Sequence, residues 1–232
     1  MKILSGKGLF LALCVWSGVA QAGVTVGGTR VVYDGGKREA TLSVRNGDKI
    51  PFLIQAWTDD DGPDGENKGG AKPPFIVTPP LFRLDPNAEN LMRIIRTGGN
   101  LPEDRESIFW MNVKSIPSAP DSAKNVLQIA VKTRIKLFYR PVGLKAPTDD
   151  TYKQLSFQRQ GDQLQVTNPT PYYLSFNTLT VGNATVDATR LMAPPKGTTS
   201  AKLPSGANGG QVSWTIINDF GGKSPAQTAP LR

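Results

Sequence analysis

The stretch "NVLQIAVKTRIKLFYRP", residues 125–141, alternates apolar and polar side chains for longer than an ordinary strand requires. From Leu127 the odd positions read Leu127, Ile129, Val131, Thr133, Ile135, Leu137 and Tyr139. The even ones read Gln128, Ala130, Lys132, Arg134, Lys136, Phe138 and Arg140. One face is apolar and the other largely cationic. At about 3.3 Å per residue, a strand over 127–140 would run for roughly 45 Å, about twice the usual length. Two readings are open on the residues alone. Either the strand is fully paired inside its own domain with its lysines in water, or its leading end, Leu127 to Val131, is an edge left open to pair with a guest chain.

The surrounding sequence puts this stretch in a β-sandwich. The chain has 232 residues with 24 glycines and 19 prolines, and no long segment keeps a 3.6-residue apolar period, so strands and turns should dominate. "GVTVGGTRVVYDGG" reads as a strand closed by Asp34-Gly35-Gly36. "EATLSVRNGDK" ends in an Asn46-Gly47 turn, with "IPFLIQAWTDD" expected as its partner strand. The stretch from Asp59 to Pro74 reads as a long, solvated acidic loop. "PFIVTPPLFRLDPNAENLMRIIRTGG" gives short strands separated by proline pairs, and "RESIFWMNVKSIP" gives another. After residue 141, "RPVGLKAPTDD" has linker character, and "YKQLSFQRQGDQLQVTNPTPYYLSFNTLTV" restarts the alternation around a Gly161-Asp162 turn. The expected architecture is all-β, with two sandwich domains at residues 23–141 and 151–232 and a linker over 142–150.

Residues 1–22 have the pattern of an export signal. Lys2 and Lys7 precede the apolar run "LFLALCVWSGVA", and Ala20-Gln21-Ala22 is an A-x-A cleavage site, which places the mature start at Gly23. The run is too short to span a bilayer. Cleavage would remove Cys14, the only cysteine, so packing alone must stabilise the mature chain. With Lys2 and Lys7 gone, 25 basic residues face 19 acidic ones, a net charge of +6. For an exported domain this excess reads as solubility, and no nucleic-acid partner is expected. The sequence has no histidine, so a Ser-His or Cys-His nucleophile is excluded, and a metal site would have to rest on carboxylates. A carboxylate glycosidase remains a distant alternative. No catalytic residue, metal or cofactor is expected.

In the order "TRVVYDG", "PFLIQAW", "TPPLFRLDP", "RESIFWMNV", "NVLQIAVKTRIKLFYRP", "NPTPYY" and "INDFGG", the chain resembles the PapD-like periplasmic chaperones of the chaperone/usher pilus pathway. Any one of these segments is weak, but seven in order are specific. The resemblance implies two immunoglobulin-like sandwiches arranged as a boomerang, located in the periplasm. It also implies a non-enzymatic chaperone that folds, caps and delivers pilus (fimbrial) subunits to an outer-membrane usher by donor-strand complementation. Leu127, Ile129 and Val131 would be the lent strand. Arg30 and Lys136 would grip the C-terminal carboxylate of the subunit, although on the residues alone they are two surface cations among 25. Lys136 lies on the opposite face from Leu127 in an ideal strand, so a twist or bulge is expected between them. Glu106, Arg140 and Asp219 match an interdomain salt-linked trio. Leu53, Gln55, Pro79 and Pro80 fall in the region such chaperones present to the usher. An open edge could also let free chains cap one another as dimers or oligomers.

Two features depart from the family pattern, and a third assigns the chain to one branch of it. The Asp59 to Pro74 loop is longer and more acidic than expected. The short connection between Pro117 and Asn125, without a cysteine pair, resembles the short-loop branch of the family. The end, "GGKSPAQTAPLR", shows no apolar closing strand, so a less completely closed second sandwich is expected. A pilus subunit or secreted adhesin is the rival class, but it would carry a cysteine pair and an N-terminal donor extension.

Overall fold

In a computed structural model, residues 23–65, 72–119 and 127–232 are described. The export signal lies outside them, as does most of the short connection after Pro117.

The first unit contains β1 (Val24–Val26), β2 (Arg30–Asp34), β3 (Glu39–Asn46), β4 (Phe52–Asp59), β5 (Phe75–Thr78), β6 (Leu81–Leu84), β7 (Glu89–Arg96), β8 (Ser107–Pro117) and β9 (Val131–Arg140). Its two sheets run β1-β3-β7-β5 and β2-β9-β8-β4-β6. A four-residue helix, α1 (Asp149–Tyr152), follows the connection. The second unit contains β10 (Ser156–Gln160), β11 (Gln163–Asn168), β12 (Leu174–Val181), β13 (Ala184–Thr185), β14 (Met192–Ala193), β15 (Gly197–Lys202), β16 (Gln211–Ile216) and β17 (Gln227–Pro230). It stacks β10-β11-β15 against β13-β12-β16-β17, with β14 paired to β12. Each sandwich closes over its own apolar core, built from the inward alternate residues. In the first, the Tyr33, Phe75, Phe109 and Tyr139 rings pack together with centroids 5.2 to 6.2 Å apart. In the second, Trp214 meets Phe157 at 4.6 Å.

Four expectations need correction. The opening segment is two strands, not one. It breaks at Gly27-Gly28, where a Cβ on Gly27 would collide with the Ser43 hydroxyl, and crosses from one sheet to the other. β3 and β4 are not hairpin partners, because β3 pairs with β1 and β7 while β4 pairs with β6 and β8. Asn46 makes a corner between the sheets instead. Its buried amide donates to the carbonyls of Ile50, Leu84 and Asp85, satisfying backbone that a hairpin turn would have left in water. Asn168 repeats the device in the second unit, donating to Tyr172, Ala193 and Pro194. The third correction is at the C-terminus, where a closing strand does exist. β17 pairs with β16, and Ala229 and Leu231 pack against the core. Finally, the long strand is regular only over Val131–Arg140, while residues 127–130 extend beyond it without strand pairing.

Candidate functional site: an open strand edge and an interdomain cleft

β9 is covered unequally on its two sides. β8 pairs with it without a bulge from Ser107↔Tyr139 to Ser115↔Val131. On the other side β2 runs parallel to it and pairs only with Lys136 to Arg140. Among the described residues, the backbone of Val131 to Ile135 is therefore unpaired on one edge. The odd-numbered face changes character along the same line. Ile135 and Leu137 are core residues at 8% and 0% exposure, whereas Val131, Ile129 and Leu127 are 54%, 67% and 85% exposed. No bulge reconciles the parity of Lys136 and Leu127. The odd face simply runs off the end of its own core, while Lys136, Phe138 and Arg140 on the even face meet the second unit. Covering a fully exposed side chain of this kind gains about 1.5–3 kcal/mol, and these three, more than half exposed, leave a large part of that gain to whatever covers them.

Arg30 and Lys136 sit opposite each other in the β2/β9 register. Both reach the second unit through neutral acceptors. Lys136 Nζ donates to Ser175 Oγ at 2.9 Å, and Arg30 Nη1 donates to the Ile217 carbonyl at 3.0 Å. Arg30 Nε is buried with no acceptor. Phe138, next on this face, underlies the Arg30 guanidinium and packs on Tyr173 at 5.9 Å. Burial, and then the Arg30 charge, push the Lys136 ammonium down to about 8. Burial also lowers Arg30, against the attraction of Asp219, Tyr152 and Glu106. Two adjacent, partly desolvated cations with no ion-pair partner among the described residues have the chemistry to hold an anion.

The carboxylates nearby are already engaged. Arg140 Nε donates to Glu106 Oε1 at 2.9 Å, and its Nη atoms fork onto Asp219 at 2.7 and 2.9 Å. Glu106 Oε2 accepts from the Tyr173 amide, and the Glu106 amide donates to the Pro171 carbonyl. Burial opposes the Arg140 charge, but the hydrogen bonds and charges of Asp219 and Glu106 outweigh it and raise its pKa. Glu106 and Arg140 come from the first unit and Asp219 from the second, so the trio ties the two together. Two further pairs cross the same boundary, Lys196 to Asp104 and Arg190 to Asp64. Both are exposed and screened by solvent, so they add little to the hold between the units.

Leu53 and Gln55 lie on the exposed positions of β4, opposite Arg83 and Leu81 of β6. Pro79 and Pro80 join β5 to β6, and the Pro80 carbonyl accepts the Ala56 amide. The structure thus gathers these four residues at one sheet edge, well apart in the sheet order from the β2/β9 side.

A cluster that the sequence reading missed lies between the open edge and Lys136. Arg134 Nη1 and Nη2 fork onto Asp59 at 2.7 and 2.6 Å, and Nη1 also donates to Asn112 Oδ1 at 2.7 Å. Its Nε donates to the Gly62 carbonyl at 3.1 Å, and the guanidinium lies 4.9 Å from the Trp110 ring centroid. The start of the acidic loop is therefore packed on β9 rather than freely solvated. Burial raises the Asp59 carboxyl, but the hydrogen bonds from Arg134, the Asp61 amide and Asn112 together hold it below the ordinary range.

The two-unit fold recurs in known proteins. Residues 23–145 match the family described as pili and flagellar-assembly chaperone, PapD N-terminal domain, and residues 150–228 match pili assembly chaperone PapD, C-terminal domain. The chain is 46% identical to the probable fimbrial chaperone LpfB of Escherichia coli O157:H7, over 95% of this chain and 94% of that protein. It is 43% identical to the chaperone protein FimC of Escherichia coli K12, over 99% and 92%. Among solved structures it superposes on a chain of the Salmonella enterica SafA pilin–SafB chaperone complex with a TM-score of 0.80 and 34% identity, covering 90% of this chain and 96% of that one. The chain belongs to the PapD family of periplasmic pilus-assembly chaperones, proteins that act on pilus subunits without catalysing a reaction.

Proposed function

We propose that this chaperone lends Leu127, Ile129 and Val131 to a pilus subunit whose own sandwich lacks a strand, while Arg30 and Lys136 hold that subunit's C-terminal carboxylate. The carrying observation is continuity: a segment with three exposed apolar side chains runs into an unpaired strand edge, which leads to a partly buried pair of cations without a carboxylate partner among the described residues. Main-chain hydrogen bonds along the open edge would give affinity that tolerates different subunits, and the alternate side chains would fill the subunit's groove. Glu106, Arg140 and Asp219 would hold the two units, bounded at 23–141 and 151–232 with a 142–150 linker, at one angle across the cleft. Leu53, Gln55, Pro79 and Pro80 form the surface offered to the usher. The periplasmic product starts at Gly23, after cleavage behind Ala22. One preparation tests both ends of this reading: chaperone purified from periplasm should carry a stoichiometric pilus subunit and begin with Gly23 on N-terminal sequencing. A product starting at Cys14, or one that never co-purifies with a subunit, contradicts it.

The depressed Lys136 ammonium makes capture pH-dependent. In the free chaperone this group is charged below about pH 8 and neutral above it. A bound carboxylate favours the charged form, so binding takes up a proton and affinity should fall by up to about tenfold per pH unit above that point. Stability responds with the opposite sign. The folded-state pKa lies below the unfolded one, so this group's contribution to stability rises as pH climbs from about 8 toward 10.5. Complex formation titrated from neutral to alkaline pH should show the fall, and Lys136→Arg should flatten it. A flat wild-type profile would remove Lys136 from the anchor.

A further inference from the structure

We propose that Arg134, clasped by Asp59 and Asn112, is a positioning residue that holds β9 free of bulges between the lent side chains and the carboxylate anchor. This rests on the donor-strand reading above. β9 carries two functions on opposite faces, with Lys136 on the even face and Val131, Ile129 and Leu127 on the odd one. One extra residue bulged between them would turn the lent side chains to the wrong side. The stretch from Val131 to Ile135 is where such a bulge would cost least, because β2 ends its pairing at Lys136 and only β8 remains.

Arg134 lies in that stretch, and all five of its N–H groups have acceptors. Nε and Nη2 donate to the Gly62 carbonyl, Nη1 and Nη2 to Asp59, and Nη1 also to Asn112. Asn112 is its direct cross-strand partner on β8, and Asp59 ends β4, the next strand over. Asn112 Nδ2 closes the ring onto Asp59 at 2.8 Å. One guanidinium thus fixes the lateral positions of three strands. A fully satisfied network of this kind rigidifies its surroundings, and setting register is the best-attested role of buried ion pairs. The acidic loop serves the clasp. Gly62 has φ +77° and turns its carbonyl toward Arg134, and a Cβ on Gly65 would stand 3.3 Å from the guanidinium. Arg30 differs in the way an anchor should, since its Nε is left without an acceptor.

The test measures discrimination rather than affinity. The probe is the pilus subunit that co-purifies with the wild-type chaperone, re-expressed with its own C-terminus and with one added glycine. Satisfying both the anchor and the lent side chains with the longer subunit requires a bulge in β9. Wild type should capture it at least about tenfold less well than the native form. Arg134→Met combined with Asp59→Leu removes both charges together and so strands neither, at the cost of the two hydrogen bonds of the buried Asn112 amide. As a folded protein, it should narrow the ratio to below about threefold. Arg134→Lys keeps the charge without the fork and should fall between, and it carries the comparison if the double variant does not accumulate. A wild-type ratio in a folded Arg134 variant would make the cluster purely structural and overturn the proposal. Lys136→Ala separates the two levels: it should hold neither form of the subunit, and if it instead captures both with the wild-type ratio, the anchor reading itself fails and the proposal falls with it.

Discussion

Arg30→Ala and Lys136→Ala should each leave the chaperone folded and abolish its ability to hold a subunit. Removing Lys136 deletes a cation that burial already disfavours and whose protein partner is one neutral hydroxyl, so the free protein loses little. Removing Arg30 forfeits one hydrogen bond to the Ile217 carbonyl, about 1 kcal/mol, together with its contact on Phe138. Capture is affected far more. Truncating one partner of a desolvated charge pair costs about 2–5 kcal/mol of binding, which is tens- to thousands-fold in affinity. Thermal melts of the free variants and protection of a bound subunit from protease measure the two effects separately. Arg30→Lys should recover only part of the loss, because an ammonium cannot present the guanidinium's fork to a carboxylate. Wild-type protection by either alanine variant would show that the subunit's carboxylate is held elsewhere.

That pair also marks where sequence reading stops. The alternation over 127–140 is visible because strand side chains repeat every two residues. That Leu127 and Ile129 lack cover while Ile135 has it depends on how far the first sandwich's core, built from strands distant in sequence, reaches along this face. Arg30 and Lys136 become neighbours only through the parallel β2/β9 register. Without the family resemblance, nothing distinguishes them from the other cations. The Asn46-Gly47 dipeptide misled for a related reason. It is a local turn signal, yet the Asn46 side chain is consumed by carbonyls up to 39 residues away. Asp59 is one of three consecutive aspartates, and its choice of Arg134, 75 residues on, is written only in the stacking of β4, β8 and β9. β17 escaped notice because an edge strand needs few apolar residues. Ala229 and Leu231 suffice to seat it.

Ile129→Asp is the decisive substitution on the lent segment, and Ile135→Asp on the same face of the same strand is its control. Ile135 is 8% exposed and packs in the first core, so an aspartate there buries a carboxylate without a partner. That should cost several kcal/mol, about enough to unfold a domain of ordinary stability. Ile129 is 67% exposed and lies beyond the strand, so in the free chaperone its replacement meets only water. The melt should stay within a degree or two of wild type, since surface substitutions usually change stability by under about 0.5 kcal/mol. A charge on an open edge also discourages two free chaperones from pairing there. The penalty should appear when a subunit closes over the segment and must desolvate the carboxylate with nothing to neutralise it, and complex yield should fall to background. Gln128→Asp, on the opposite face, changes charge by the same amount at the neighbouring position and should preserve most of the complex. If Ile129→Asp melts as low as Ile135→Asp, the segment belongs to the chaperone's own core. If it melts normally and still captures subunits, Ile129 does not enter the groove, and the exposed apolar row serves some other contact.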